Sequence, residues 1–470
     1  MSQTQERKQI AILGAGISGL STAYHLQKAG HSVLLLETSQ RCGGAIQTST
    51  SEGYLIEHGP NSLMISDQRL LDLIQEVGID SEIVHANPAA NKRFIIKGGK
   101  LQALPTSPLN AIVNPLFSLK AKLRLLREPF TSKRDPKGGT ESFADFVRRR
   151  LGPEFLEKAA GPFVSGIYAG DPNRLATRYA FPRLWALEQE HGSLVKGMLK
   201  KKKLQKQGKG DPNKLPKPIL CSFRNGMQSL PDALKEALEE DTIKYGCEFG
   251  SISQNPETKR WSLNWRTSAG ATGMGTFDHL IISAPSHKLD ELELSDQLQD
   301  AISKVTQIHY PPVTSMLLGF KKDQIKHPLD GFGMLNSLSE KSKMLGAIFS
   351  STIFPDRAPQ DCVSINVMLG GARTPEHANM SDSAMQASVM DELRRLLGIE
   401  GNPVFSNFIR WEKAIPQLNL GYGTILKQIE QTERDYPGLH LTGNYRGGIS
   451  VGDCILNGMT LSEKITFQTP

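Results

Sequence analysis

At 470 residues the chain is longer than one ordinary core, and two or three domains are expected. Apolar residues make up 39%, with no uninterrupted run of about 18, which argues against a membrane-spanning helix; five cysteines without a CxxC pair argue against a disulfide framework or a zinc site and fit a reducing cytoplasm. The net charge of +7 is local: nine lysines and one acid, Asp211, lie between Lys196 and Lys217, and without them acids outnumber bases by one, so no nucleic-acid partner is indicated.

The N-terminal MSQTQERKQ has neither an apolar core nor an Arg-rich transit pattern, so export and organelle import are not expected. Residues 9–14 (QIAILG) read as a buried strand. A helix through Ala23, Leu26 and Ala29 follows and ends at Gly30, and SVLLLE (32–37) is a second strand, completing a βαβ unit. Further helices are expected over Asp67 to Val77, Ser142 to Leu151, Glu154 to Ala160 and Leu230 to Glu240. The stretch from Lys196 to Pro218 is polar, Lys-rich and broken by Pro and Gly, and reads as an exposed loop or insert. TSMLLGF (314–320), GAIFSS (346–351) and VSINVML (363–369) read as strands. HLTGN, a Gly-rich turn and a helix from about Val451 close the chain.

Gly14-Ala15-Gly16-Ile17-Ser18-Gly19 forms GxGxxG between strand and helix. Gly14 permits the tight turn, Gly16 lets the backbone approach a pyrophosphate, and Gly19 lets the helix pack closely on the sheet. The helix N-terminus offers free N–H groups to phosphates. Glu37, followed by Thr38, ends the second strand, where its carboxylate can accept both ribose hydroxyls. Arg41-Cys42-Gly43-Gly44 comes next, and Glu57-His58-Gly59-Pro60-Asn61 later. Both resemble segments that meet FAD in glutathione-reductase-like flavoproteins of the amine-oxidase type. At the far end, Gly443 and a helix beginning with Val451 and Gly452 would aim N–H groups at the flavin edge that becomes anionic on reduction.

Beyond these motifs, the chain resembles the FAD-dependent protoporphyrinogen oxidase family nearly end to end. GAGISGL (14–20), EHGPNS (57–62), ANKRFI (90–95), LGPEFLEKAAGPFVSGIYAGDP (151–172), SFRNGMQSLPDAL (222–234), YPPV (310–313), DGFGML (330–335), AIPQ (414–417) and GNYRGGISVGDCI (443–455) carry the resemblance. Ala45 stands where amine oxidases and phytoene desaturases usually place arginine after GG. The resemblance implies an α/β fold with a Rossmann-like FAD-binding domain from residues 1–92, 219–288 and 411–470. It also implies an antiparallel-sheet substrate domain over 289–410 and a helical, membrane-facing insert over 93–218.

The same resemblance implies site roles. Asn61 would sit by the flavin and the reacting carbon. Arg93 would pair with a substrate propionate, the alternative being a surface salt-bridge arginine. Gly166 would bring a carbonyl to pyrrole N–H groups, the alternative being a helix-capping glycine. Gly333, Leu335, Ile348 and Met368 would wall the macrocycle or serve as ordinary core. Gly59, Pro60 and Trp411 would pack near the flavin, and Glu248 near the adenine through its backbone. FAD would be non-covalent and no metal is needed. The implied reaction is the six-electron oxidation of protoporphyrinogen IX to protoporphyrin IX in haem biosynthesis, in three two-electron rounds, with dioxygen as acceptor and hydrogen peroxide as product. Oxidation of coproporphyrinogen III is the close alternative; an amine oxidase, a carotenoid desaturase and a non-catalytic flavoprotein are more distant ones. A cytoplasmic protein is expected, with peripheral contact to the inner face of the cell membrane through 116–126 and the lysines of 196–217. Oligomeric state is left open, a homodimer included.

Overall fold

The computed structural model describes residues 6–105, 114, 116–135, 139–207, 209 and 211–467. Its first sheet is wholly parallel and runs in the order Ile243–Lys244, Ser32–Leu36, Gln9–Leu13, His279–Ile282 and Leu439–Leu441. These strands are almost continuously apolar because both faces are covered. The helix Ile17–Lys28 packs on the C-terminal helix Val451–Phe467, where a Cβ on Gly458 would lie 3.1 Å from the Ser18 carbonyl.

A second sheet of seven strands runs in the order Phe405–Trp411, Val313–Lys321, Cys362–Gly370, Met344–Ile348, Gly331–Asn336, Lys92–Lys97 and Lys100–Ala103. Its pairs are antiparallel except that Gly331–Asn336 and Lys92–Lys97 run parallel. Arg93 therefore enters the structure on a strand beside Gly333, and not on a helix. The helix Asp382–Leu397 covers one face through Met385, Val389, Met390 and Leu393.

Several local expectations need correction. Lys196 to Pro218 is not a loop: a helix, Leu194–Lys206, is followed by the strand Lys214–Phe223, which pairs with Leu63–Asp67 and Ile83–His85. The helix forms because its N-terminus is anchored: Glu128 accepts from the backbone N–H groups of Leu194 (2.8 Å) and Val195 (3.2 Å) and from the Ser193 hydroxyl (2.6 Å). Lysine is a good helix former once such a nucleus exists. The strand over 346–351 instead ends at Ile348 and turns into the short helix Ser350–Ile353. The helix expected over Leu230 to Glu240 ends at Glu236. Leu156–Ala160 is π-helical, running on into the helix Gly161–Tyr168.

The region 116–206 is tied together by buried charge. Arg150 is fully buried and ion-pairs with Glu128 (3.2 Å) and Glu188, while Arg149 joins Glu141 (2.7 Å) and Glu188 (2.8 Å). Taking charge out of water is costly unless all partners are present, so this network fixes how the helices meet.

At the N-terminal end of the parallel sheet, His279 Nδ1 and His440 Nε2 are 3.1 Å apart. Burial, reinforced by Lys8, pushes His279 down to about 4; burial and the neighbouring His279 and Lys464 hold His440 well below the usual histidine range. Folding therefore favours their neutral forms, and the unfolded chain binds more protons between pH about 4 and the unfolded histidine value of about 6.5. The stability they contribute is complete above about pH 6.5 and is lost as pH falls toward 4. Glu57, pushed up to about 7 by burial, acts in the opposite sense over the same window. The signature is thus a difference: the urea midpoint of wild-type protein should fall more steeply between pH 6.5 and 4.5 than that of a His279→Gln/His440→Gln variant. Parallel slopes would remove the pair from the pH response.

Candidate active site

The GxGxxG turn is built by close approach. Gly14 has φ +102° and donates its N–H to the Leu36 carbonyl (2.8 Å), and a Cβ on Gly19 would lie 2.0 Å from the Gly14 carbonyl oxygen. A Cβ on Gly16 would meet nothing nearer than the Gly44 Cα at 4.0 Å, which leaves open space above the helix start. Gly43 N–H reaches the Ala15 carbonyl (2.8 Å), joining the RCGG turn to this loop. Arg41 holds that turn by donating to the carbonyls of Cys42, Gly44 and Ile46.

Glu37 accepts from the N–H groups of Ala15 (2.7 Å) and Ser39 (2.8 Å), one on each carboxylate oxygen. The Thr38 hydroxyl adds a longer bond to the oxygen that faces Ser39 (3.4 Å), so the oxygen facing Ala15 keeps a lone pair for a further donor. The Glu37 carbonyl receives the N–H of Cys247 (2.9 Å), which brings the strand carrying Glu248 alongside. At the opposite end of the cradle Ser450 accepts from Asp453 N–H (3.1 Å) and donates to the Asp453 carboxylate (2.6 Å), a cap that starts the last helix at Val451 and Gly452. Gly443 precedes it with φ +138°. These residues suit a dinucleotide: an open glycine notch, a carboxylate with spare acceptor capacity, and two helix N-termini.

The segment 57–61 crosses from this cradle to the seven-stranded sheet. Glu57 is buried, and its carboxylate accepts from the Thr48 hydroxyl (2.7 Å) and the Met227 N–H (2.9 Å). His58 donates its N–H to the Gln47 carbonyl (2.9 Å), and its own carbonyl receives the Trp411 indole N–H (2.8 Å). A Cβ on Gly59 would lie 2.1 Å from the Ala45 carbonyl oxygen, so only glycine fits there. After Pro60, the Asn61 amide contacts Gly59 on one side and Asn366 of the strand Cys362–Gly370 on the other.

Asn61, Asn366, Ile348 and Phe332 line one cavity with Glu57 and the buried Arg357. The exposed Arg93 guanidinium lies 5.2 Å from the Phe332 ring centroid and donates to the Asn91 carbonyl (3.4 Å). Gly166 lies within a helix and not at its cap; the left-handed residue ending that helix is Ala169. A Cβ on Gly166 would sit 2.5 Å from Leu335 Cδ2, so the glycine exists to let this helix approach the sheet. Its carbonyl falls in the last turn, where helices leave acceptors without intrahelical partners. Gln417 secures the same helix end by donating to the Tyr168 carbonyl (2.8 Å). Leu335, Ile348 and Met368 are half-buried, while Gly333, at φ +151°, is tight against the Ala347 carbonyl. Met368 packs with Ala169, Val313 and Ile415.

The structure thus groups Asn61 with Ile348, Arg93 with Gly333 and Phe332, and Gly166 with Leu335. Glu248 and Thr38 stand beside Glu37 at the other end of the cradle. Sequence reasoning missed Asn366 and Arg357. Asn366 had a signal, being the one polar side chain inside the apolar run INVML.

The family model for flavin-containing amine oxidoreductases matches residues 17–466. Protoporphyrinogen oxidase 2 of Arabidopsis thaliana is 32% identical, over 97% of this chain and 94% of its own. Coproporphyrinogen III oxidase of Bacillus subtilis is 27% identical, over 98% of each. A solved structure from Exiguobacterium sp. 255-15, named for protoporphyrinogen oxidation, has a TM-score of 0.79 at 25% identity and covers 99% of this chain and 100% of its own. Purified wild-type protein should carry non-covalent FAD in stoichiometric amount. Glu37→Arg removes the acceptor of the Ala15 N–H and should release the cofactor while far-ultraviolet circular dichroism stays native. Full FAD content in that variant would detach Glu37 from the cofactor.

Proposed function

The chain belongs to the flavin-containing amine oxidoreductase family, on its protoporphyrinogen oxidase branch, and is an FAD-dependent oxidoreductase; from that premise we propose that it oxidises protoporphyrinogen IX to protoporphyrin IX. The observation that carries the choice of substrate is the character of the mouth. Arg93 offers one exposed guanidinium, in contact with the Asn91 carbonyl and the Phe332 ring, and Leu335, Ile348 and Met368 on the neighbouring strands are apolar. A ring with two propionates on one edge and apolar substituents elsewhere matches that wall. Coproporphyrinogen III carries four carboxylates around the ring, and burying the additional two against such a wall costs more than burying the apolar vinyl groups of protoporphyrinogen.

FAD, when bound, supplies the two-electron acceptor for each of three rounds, and dioxygen takes the electrons onward as hydrogen peroxide. The chain's residues place the substrate. Arg93 holds a propionate, the last-turn carbonyl of Gly166 accepts from pyrrole N–H groups, and the half-buried wall keeps water from the meso carbon being oxidised. Tautomerisation can return a C–H to the same position, so the ring need not turn over between rounds.

Purified protein mixed separately with the two porphyrinogens, with porphyrin fluorescence as readout, tests this: faster turnover of protoporphyrinogen is expected, and exclusive turnover of coproporphyrinogen would reverse the assignment. Arg93→Ala should lower kcat/KM roughly tenfold to a hundredfold with FAD retained, the loss of one charge-assisted pair. Unchanged kinetics would exclude Arg93 from the site.

We propose in addition that the protein docks on anionic lipid. No helix among the described residues is long and apolar enough to cross a membrane. On the helix Leu119–Arg127, however, Leu119 (73% exposed), Leu123 and Leu126 form a stripe at helical spacing that continues into Phe130 (85% exposed). Lys196 sits 5.7 Å from the Phe130 ring centroid, which joins this stripe to Val195, Met198 and Leu199 on the lysine-rich helix. Exposed apolar side chains flanked by cations suit a headgroup interface, each lysine there contributing on the order of 1 kcal/mol. Salt-sensitive sedimentation with anionic vesicles is expected. It should be weakened by replacing Lys200, Lys201, Lys202 and Lys203 with Gln, without change in turnover of detergent-dispersed substrate. Protein that stays in the supernatant at low salt would end the lipid reading alone.

A further inference from the structure

The amide of Asn61 is not free to choose which end it shows. Its Nδ2 faces the Gly59 carbonyl at 3.3 Å, and its Oδ1 faces Asn366 Nδ2 at 3.2 Å. Asn366 Oδ1 in turn faces the Ser315 hydroxyl at 2.7 Å. A hydroxyl can donate or accept, so Ser315 cannot set the direction of this chain. The Gly59 carbonyl can, because it only accepts. It requires N–H groups of Asn61 on its side, which turns the Asn61 oxygen toward Asn366, which requires N–H groups there, which turns the Asn366 oxygen toward Ser315. One backbone carbonyl thereby fixes two amides and a hydroxyl.

The anchors of this relay are rigid. Asn366 is 3% exposed and paired in the middle of its sheet, opposite Leu317 and Ile348. Gly59 is locked against Ala45, and the residue before it is clamped by Trp411. Asn61 lines the cavity with its oxygen engaged by Asn366, and its second Nδ2 hydrogen and one oxygen lone pair remain for a ligand.

We propose that Asn366 is a positioning residue that, together with the Gly59 carbonyl, holds the Asn61 amide so that its second Nδ2 hydrogen is presented as a donor to the reacting partners. This rests on the reading of Asn61 as a residue of the reaction site. A donor is ill matched to a pyrrole N–H and well matched to a nitrogen that has lost its proton, or to an acceptor atom on the flavin edge. In either position it favours the dehydrogenated side of the step over the starting complex, which is the form of binding that raises kcat.

Asn366→Asp tests the direction. A carboxylate offers the Asn61 oxygen no hydrogen and repels it while the Gly59 carbonyl still requires an N–H group, so the Asn61 amide loses its fixed direction and its donor is displaced. With FAD retained, kcat should fall about tenfold with KM little changed, the size of effect a misoriented hydrogen bond gives. In an Asn61→Ala background the same substitution should change kcat by less than about twofold, because Asn366 acts through Asn61. Additive losses would show a merely structural role and overturn the proposal. The two acceptors separate spectrally. If the acceptor lies on the flavin, Asn366→Asp shifts the visible absorption band and the midpoint potential of the holoenzyme without substrate; if it is the substrate nitrogen, both stay fixed and only kcat falls. A wild type that turns over no porphyrinogen refutes the substrate reading and leaves the spectral arm to decide, where an unshifted band and potential would overturn this inference too. Asn366→Gln, which keeps the donor, should retain more of kcat than Asn366→Asp; equal losses would likewise count against it.

Discussion

A side chain at residue 59 would drive its Cβ to within 2.1 Å of the Ala45 carbonyl oxygen, and that exclusion organises the site. Because residue 59 is glycine, the strand ending at Glu57 can press against the RCGG turn and still deliver Asn61 to the strand Cys362–Gly370 of the second sheet. The neighbours on either side leave no slack. Glu57 is held through Thr48 and Met227, His58 through Gln47 and Trp411. A segment fixed at both ends and in the middle gives a reacting partner on each side a common reference, which is what orientation effects in catalysis require.

Rigid support of this kind recurs around the pocket. The helix bearing Gly166 approaches Leu335 because two glycines, 161 and 166, face leucines of the sheet side, and its far end is secured by Gln417. The π-helical turn at Leu156–Ala160 sits just before those glycines, where an extra residue per turn rotates the face that follows. The fully buried Arg150, with Glu128 and Glu188, then carries this order outward to the lysine-rich helix. The pocket and the exposed apolar stripe of residues 119–130 are therefore parts of one braced unit.

Much of this was legible in the sequence where chemistry depends on backbone geometry. The GxGxxG turn, Glu37, the RCGG turn and the last helix could be read because phosphate and ribose contacts constrain glycine, one acid and helix starts at short spacing. The FAD-dependent oxidoreductase assignment followed from those motifs and from SGIYAGDP and GNYRGGISVGDC. The lysine-rich stretch was misread as a loop because what makes it a helix is Glu128, more than sixty residues away, capping its N-terminus. Arg93 was identified, but its strand was not, since pairing with Gly333 is a long-range choice that local propensity does not encode. Asn366 went unread for the same reason: its partner, Asn61, lies 305 residues away.

The most direct test of the account is an anaerobic single turnover of the FAD-loaded protein with protoporphyrinogen IX, followed in the flavin's visible absorption. The account predicts rapid bleaching of the oxidised flavin in step with the first dehydrogenation, and full recovery of the band with release of hydrogen peroxide when oxygen is admitted. A fully loaded protein whose flavin remains oxidised in the presence of protoporphyrinogen and of coproporphyrinogen III alike would contradict it.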